Sequence, residues 1–262
     1  MINAKEVLKK ACEANLVDDI LFGVYQIKKD DYYDAAILAP SWYPEKVFPD
    51  DAIITTLKRG SYNSSYVVEY SGLKIAYIQC GSGASNLVDA ALCLTNSSIK
   101  NIFFVGAVGS ISKEIGMSIL ATPSESISFD GVTPFLNEKL EKELYGKSVY
   151  PYNMEYIDNA ISKLKENGIE IIKEKVFCTD SIILEYYHMD EIKNTGAKLI
   201  EMETAAFYKT LEAMNKNGMA FLLVSDNSSD KKSLVEKSVE DRIKYNYIRK
   251  NTIAKCLELL LK

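Results

Sequence analysis

The chain has 262 residues, 47% of them hydrophobic and 26% charged, with a net charge of −5. That length supports one large core, and an acidic balance without a basic patch excludes nucleic acid as an expected partner. The apolar runs are far shorter than a bilayer span, so no membrane association is expected.

The opening residues, Met1-Ile2-Asn3-Ala4-Lys5-Glu6, carry charge early and hold no apolar signal core, which reads as no targeting segment. The five cysteines, Cys12, Cys80, Cys93, Cys178 and Cys256, are odd in number and widely spaced. They read as reduced core residues of a cytoplasmic protein, with no zinc spacing and no metal site. The single histidine, His188, has no triad partners around it.

Residues 3–15 predict an amphipathic helix, with Val7, Leu8, Ala11 and Cys12 on one face and Asn3 as its cap. Tyr33–Leu38 predicts a short apolar strand ending in Ala39-Pro40-Ser41-Trp42-Tyr43-Pro44, a rigid aromatic loop that is either packed or a site wall. Ser65–Tyr70 and Leu73–Cys80 flank Ser71-Gly72, a hairpin signal. The second strand runs into Gly81-Ser82-Gly83, and a helix is expected over Asn86–Thr95. A strand, a glycine turn and a helix leave backbone N–H groups facing outward, a natural anion site, although many such turns use glycine for sterics alone.

Ile102–Ser110 predicts a buried strand ending in a second glycine turn, and Ser118–Thr122 a short strand stopped by Pro123. A charged helix is expected near Leu136–Leu144 and a clearer one over Met154–Asn167, closed by Gly168. Ile171–Phe177 predicts a strand and Leu184–Lys193 a helix carrying an exposed His188. In Lys198–Met202, alternation sets Leu199 and Glu201 on one face and Ile200 and Met202 on the other. After Glu203 the period turns helical, through Phe207, Leu211 and Met214, with Gly218 as the expected stop. Met219–Val224, the most apolar strand, runs into Ser225-Asp226, and Leu234–Leu261 predicts one or two final helices.

Strands and helices alternate for most of the length, so a single α/β domain over 1–262 is expected. Polar or glycine-rich chemistry stands at the strand ends 81–85, 106–109, 201–203 and 225–226. A sheet edge that gathers them makes a pocket with backbone donors on one side and acids on the other. A carboxylate such as Glu203 suits paired sugar hydroxyls, and a buried Asp226 suits a general acid. A helix N-terminus that merely favours acidic residues explains Glu203 equally well.

The chain resembles the nucleoside phosphorylase and nucleosidase superfamily, in the branch of hexameric purine nucleoside phosphorylases, uridine phosphorylases and methylthioadenosine nucleosidases. Cys80-Gly81-Ser82-Gly83-Ala84-Ser85 resembles its first phosphate-side glycine turn, and Val105-Gly106-Ala107-Val108-Gly109 the second. Glu201-Met202-Glu203-Thr204-Ala205-Ala206 with Val224-Ser225-Asp226 resembles its ribose and base side. The order of elements agrees over residues 35–230, and the Glu-Met-Glu and Ser-Asp pairs are its specific part.

The resemblance implies a three-layer α/β/α fold with a central mixed, partly barrel-like sheet, and breakage of a ribose N-glycosidic bond. It implies that Glu203 holds the ribose hydroxyls, Met202 packs under the sugar and Asp226 serves the leaving base. Glu201 and Ser225 fall in the same motifs, and Phe177 and Ile182 lie where the base wall belongs. Gly83 falls to phosphate, with Lys46 as the nearest cation and Arg59 as an arginine lent by a neighbour in a homo-oligomer built from dimers, up to a hexamer. No cofactor is implied beyond phosphate as co-substrate.

The family's arginine and serine at the second glycine turn are here Phe104 and Ala107. The expected reaction is phosphorolysis of a purine or uridine nucleoside with weak phosphate affinity. The alternatives are a nucleosidase using water and a non-catalytic nucleoside-binding protein.

Overall fold

The computed structural model describes residues 1–140, 145–232 and 237–262. In chain order the elements are α1 (Ala4–Asn15), α2 (Ile20–Tyr25), β1 (Ala35–Ala39), β2 (Ile53–Arg59), β3 (Ser64–Tyr70), β4 (Leu73–Gln79), α3 (Ala84–Cys93) and β5 (Asn101–Ser110). There follow β6 (Leu120–Phe129), β7 (Lys147–Val149), α4 (Met154–Glu166), β8 (Ile172–Thr179), α5 (Met189–Asn194), β9 (Leu199–Glu201), α6 (Thr204–Met214) and β10 (Asn217–Asn227). The chain ends in α7 (Val239–Tyr247) and α8 (Ile253–Leu261), joined by a π-helical turn over Ile248–Thr252.

Local chemistry accounts for several of these boundaries. The Asn3 side chain accepts from the N–H groups of Lys5 and Glu6 and so caps α1. Ser71 and Gly72 both hold positive φ, 53° and 80°, which matches a two-residue turn to the twist of β3 and β4. β1 is buried throughout and β10 from Gly218 onward, as expected for uninterrupted apolar runs covered on both faces.

The strands form one ten-stranded sheet in the order β10-β6-β8-β9-β5-β1-β4-β3-β2, with β7 beside β6. β10 also pairs with β5, so β10, β6, β8, β9 and β5 close on themselves, while β1, β4, β3 and β2 extend the sheet from β5. This is the mixed, partly barrel-like sheet implied by the family resemblance. Phe103 of β5 stacks on Phe221 of β10 at 5.8 Å inside the core. Helix α3 packs on α6, with α1 against both, and α4 and α8 form another packed pair.

The register of β10 against β5 shifts between Val224, opposite Val108, and Asp226, opposite Gly109. β10 therefore carries one extra residue, Ser225, at the point where it reaches the sheet edge. Such a bulge bends a strand and re-aims the side chains beyond it.

Some elements depart from expectation. The short helix α2 and the strand β2 are additional; β2 is an edge strand with little buried surface, so it carries no apolar signature. β6 continues through Pro123 instead of stopping there, because the register shifts between Pro123 and Glu125 and the missing N–H falls at that irregularity. The helix expected near Leu136–Leu144 is a 3-10 turn over Thr133–Leu136, and Glu141–Leu144 lie outside the described residues. Leu184–Lys193 divides into a 3-10 turn over Leu184–Tyr186 and the short α5. Of the final helical stretch, Leu234–Glu236 lie outside the described residues and helix begins at Val239.

Gly218 does not end α6. Asn215, in the left-handed conformation, does so, and Gly218 lies in β10. A Cβ on Gly218 would stand 2.3 Å from the Ile102 carbonyl oxygen and 2.4 Å from Leu211 Cδ1. Gly218→Ala should therefore cost about 1–3 kcal/mol, the usual range for overpacking, as a fall in the urea midpoint. An unchanged midpoint would mean that β10 can shift away from β5 without loss.

Candidate active site

The strand β9 spans only three residues before the chain bends through Met202 and Glu203 into α6. Leu199 enters the main core, while Ile200 packs in a smaller cluster with Phe177 and Ile192. Glu201 turns inward beneath the start of α6. Its Oε1 accepts from Cys178 Sγ at 2.7 Å and from Thr204 Oγ1 at 2.8 Å. Its Oε2 accepts from the N–H groups of Glu203 at 2.8 Å and Thr204 at 2.9 Å. Glu201 is thus the cap of α6, satisfying donors that a helix N-terminus leaves open. Burial raises its carboxyl above the usual range, and these donors oppose the rise. The Cys178 thiol, raised well above its ordinary value by burial, stays protonated and donates.

Glu203 follows at the N-cap position of α6, itself buried. Its Oε1 accepts the Gly83 N–H at 2.6 Å. Gly83 has φ of 99° and precedes α3, so the turn presents its N–H to a carboxylate from a distant part of the chain. Burial first, then repulsion from Glu201, pushes Glu203 up to about 8, against the pull of the Gly83 N–H.

Beyond the bulge in β10, Ser225 Oγ donates to Asp226 Oδ1 at 2.5 Å. Burial raises the Asp226 carboxyl, opposed by Ser225 and by the charge of Lys237. Asn227 braces this strand end from below, with its Nδ2 donating to the carbonyls of Ser112 at 2.8 Å and Ile115 at 2.7 Å.

A cavity of about 160 Å³ opens between these groups. The polar strand ends predicted to converge do so: Ser82, Gly106–Gly109, Glu201–Glu203 and Ser225–Asp226 all line it. Its floor includes Phe104, whose ring lies over Gly106; a Cβ there would stand 2.8 Å from the ring. Phe104 is fully buried and packs on Phe207 at 5.8 Å. No lysine, arginine or histidine is among the described residues lining this cavity. Among the described residues there is no acid, cysteine and histidine cluster suited to a metal ion.

Of the residues singled out in the sequence, Glu201, Met202, Glu203, Ile182, Ser225 and Asp226 line the cavity. Phe177 does not. It stacks on Phe129 at 4.8 Å and lines a second, larger cavity of about 450 Å³ that shares Thr179 and Glu185 with the first. Gly83 stands behind Glu203, and the N–H expected to meet an external anion is taken by the protein's own carboxylate. Lys46 ends a 3-10 turn anchored by buried Pro44, Val47 and Phe48, which leaves the lysine in solvent. Arg59, at the end of the edge strand β2, is exposed and also outside the lining of its own chain's cavity.

The aromatic loop is both packed and a wall. Trp42 is buried edge-on to Tyr245 at 6.4 Å, while Pro40 and Ser41 line the cavity. Sequence reasoning missed Glu185, a buried acid on the cavity wall. Its one signal is an acid set within the apolar run Ile182-Ile183-Leu184-Glu185-Tyr186-Tyr187.

The family profile described as "Phosphorylase superfamily" matches residues 52–260. The chain is similar to the "Purine nucleoside phosphorylase DeoD-type" of Streptococcus pneumoniae (strain JJA), 22% identical over 184 residues, which is 69% of this chain and 74% of that protein. It is similar also to the protein of the same name from Bacillus subtilis (strain 168), 23% identical over 174 residues, 64% of this chain and 70% of that protein.

Proposed function

The chain belongs to the phosphorylase superfamily, and from that premise we propose that it breaks the N-glycosidic bond of a nucleoside with water as the nucleophile. Glu203 accepts the hydroxyls of the ribose and Met202 packs beneath the ring. As the bond from C1′ to the base breaks, its electron pair passes to the base nitrogen and Asp226 supplies the proton. Burial favours that protonated form of Asp226. Water then adds to C1′ of the oxocarbenium-like sugar and loses a proton to solvent, leaving free base and ribose.

One observation carries the choice of water: the described lining of the cavity holds Glu185, Glu201, Glu203 and Asp226 and no cation. A phosphate dianion entering there meets no charge-assisted donor in the described lining, and each acid that ionises adds like charge. Phe104 fills the floor, and the Gly83 N–H is already engaged.

Phosphorolysis is the second reading. It is favoured by the names of the relatives and by an exposed Arg59, which an adjoining copy in a closed homo-oligomer would receive. The sugar product separates the two. Free ribose, formed at a rate that varies less than about twofold across a phosphate series, is expected from an acid-lined pocket. Ribose 1-phosphate that grows with phosphate would establish phosphorolysis. Phe104→Arg, the substitution that the sequence suggests for restoring phosphate, is a poor test, because it would bury a guanidinium against Phe207.

A further inference from the structure

Glu185 has no part in the reaction above, yet its surroundings are unusual for a surface turn. It sits in the 3-10 turn Leu184–Tyr186, tied by its own N–H to the Ser181 carbonyl and by its carbonyl to the His188 N–H. Its neighbours Ile183, Leu184, Tyr186 and Tyr187 are all exposed, while Glu185 is 7% exposed. The apolar residues face solvent and the acid faces inward, the reverse of what burial alone would select. Glu185 lines the same cavity as Asp226, and its strongest charge interaction is with Asp226. Among the described residues no hydrogen bond to its carboxylate supports it. The carboxyl oxygens, without a donor from the described residues, open onto the cavity beside a second acid, where a bound ligand can take the place of water as donor.

We propose that Glu185 determines base specificity, accepting a hydrogen bond from an amino group on the leaving base, so that the site favours amino-bearing bases over oxo-bearing ones. The inference rests on the reading of the cavity as a nucleoside site, with the base at the Asp226 end. An ionised carboxylate only accepts hydrogen bonds, so it welcomes an exocyclic amine and repels an exocyclic carbonyl. A protonated carboxyl also donates, and so tolerates the carbonyl.

The charged and titratable groups around it are Asp226 on β10, Glu201 and Glu203 at the β9–α6 junction, and Tyr186 on its own turn. His188, Glu191 and Asp180 lie around the adjoining cavity. The charge of Lys237 lowers Asp226, and Asp226 in turn raises Tyr245. Burial, then Asp226, pushes Glu185 up to about 7. Discrimination should therefore be weak on the acid side of neutrality and strong on the alkaline side.

The test measures binding of free adenine and free hypoxanthine by calorimetry, at about pH 6 and about pH 8, with base release from adenosine and inosine alongside. The native chain should prefer adenine by about tenfold or more at the higher pH and by less than about threefold at the lower. In Glu185→Gln the amide donates and accepts at any pH, so the preference should be small and equal at both. Glu185→Leu, which offers no acceptor, should likewise show no rise in preference with pH. Asp226 remains in both variants, so any pH effect that it contributes stays in all of them. The proposal is overturned if the native preference does not rise with pH, or if it rises equally in Glu185→Gln. Adenine preference without base release would remove the hydrolytic reading and leave this one standing. Base release without preference would do the opposite.

Discussion

Glu203→Gln should lower kcat/KM for base release by at least about 100-fold, near 2.7 kcal/mol of transition-state stabilisation, while the fold is retained. The amide carbonyl can still accept the Gly83 N–H that Glu203 accepts at 2.6 Å. The second acceptor oxygen becomes an NH₂ donor, which cannot receive a sugar hydroxyl. The same variant should change the pH dependence of stability. Native Glu203 keeps its proton up to about 8, whereas in the unfolded chain a glutamate releases it near the ordinary value of about 4.3. Between those values the folded state binds the extra proton, so Glu203's contribution to stability is full below about 4 and is lost as pH rises to about 8. Glutamine has no such proton, and its urea midpoint should vary less over that range. Unchanged turnover in a folded variant would remove Glu203 from the sugar site; an unchanged pH profile would remove it from the titration.

Glu201→Ala should lower stability by about 3–5 kcal/mol, the largest loss expected from a single substitution in this site. The change strands the buried N–H groups of Glu203 and Thr204, each of which costs about 1–3 kcal/mol when left unpaired, while the Thr204 hydroxyl keeps Ser126 as its partner. It also releases the start of α6, and with it Glu203. Activity should therefore fall together with stability, whereas Glu203→Gln separates the two. Urea unfolding of both variants, read beside turnover, makes the comparison. A loss below about 1 kcal/mol would show that water replaces the carboxylate under α6.

The strand-to-helix change at Glu203 was legible because the apolar period switches there from two to helical. The buried strands and the Ser71-Gly72 hairpin were legible for similar local reasons. The closure of β10 onto β5 was not, since no residue in either strand records which partner it takes. Glu201 shows the same limit at the scale of one side chain. Alternation places it inward, but not that Thr204 and Cys178 consume its oxygens. Lys46 is the nearest cation along the chain, yet buried Pro44, Val47 and Phe48 fix its turn and leave it outside. Phe177 has the right chemistry for a base wall but stacks on Phe129 beside the neighbouring cavity. Glu185 was hidden because a helical reading of Leu184–Lys193 makes it an ordinary surface acid, and the turn that faces it inward arises from packing.

The extra residue of β10 has a bearing on how such a chain can lose its chemistry by inheritance. Asp226 owes its aim to the extra residue that separates it from Val224, as well as to its own identity. An in-frame loss of the Ser225 codon would leave Asp226 opposite Gly109 but flatten the bulge and remove the hydroxyl that donates to its carboxylate. Every acid of the cavity would still be present in the translated sequence. An inventory of residue types would score that descendant as intact, and only its length across this stretch would mark it as silent.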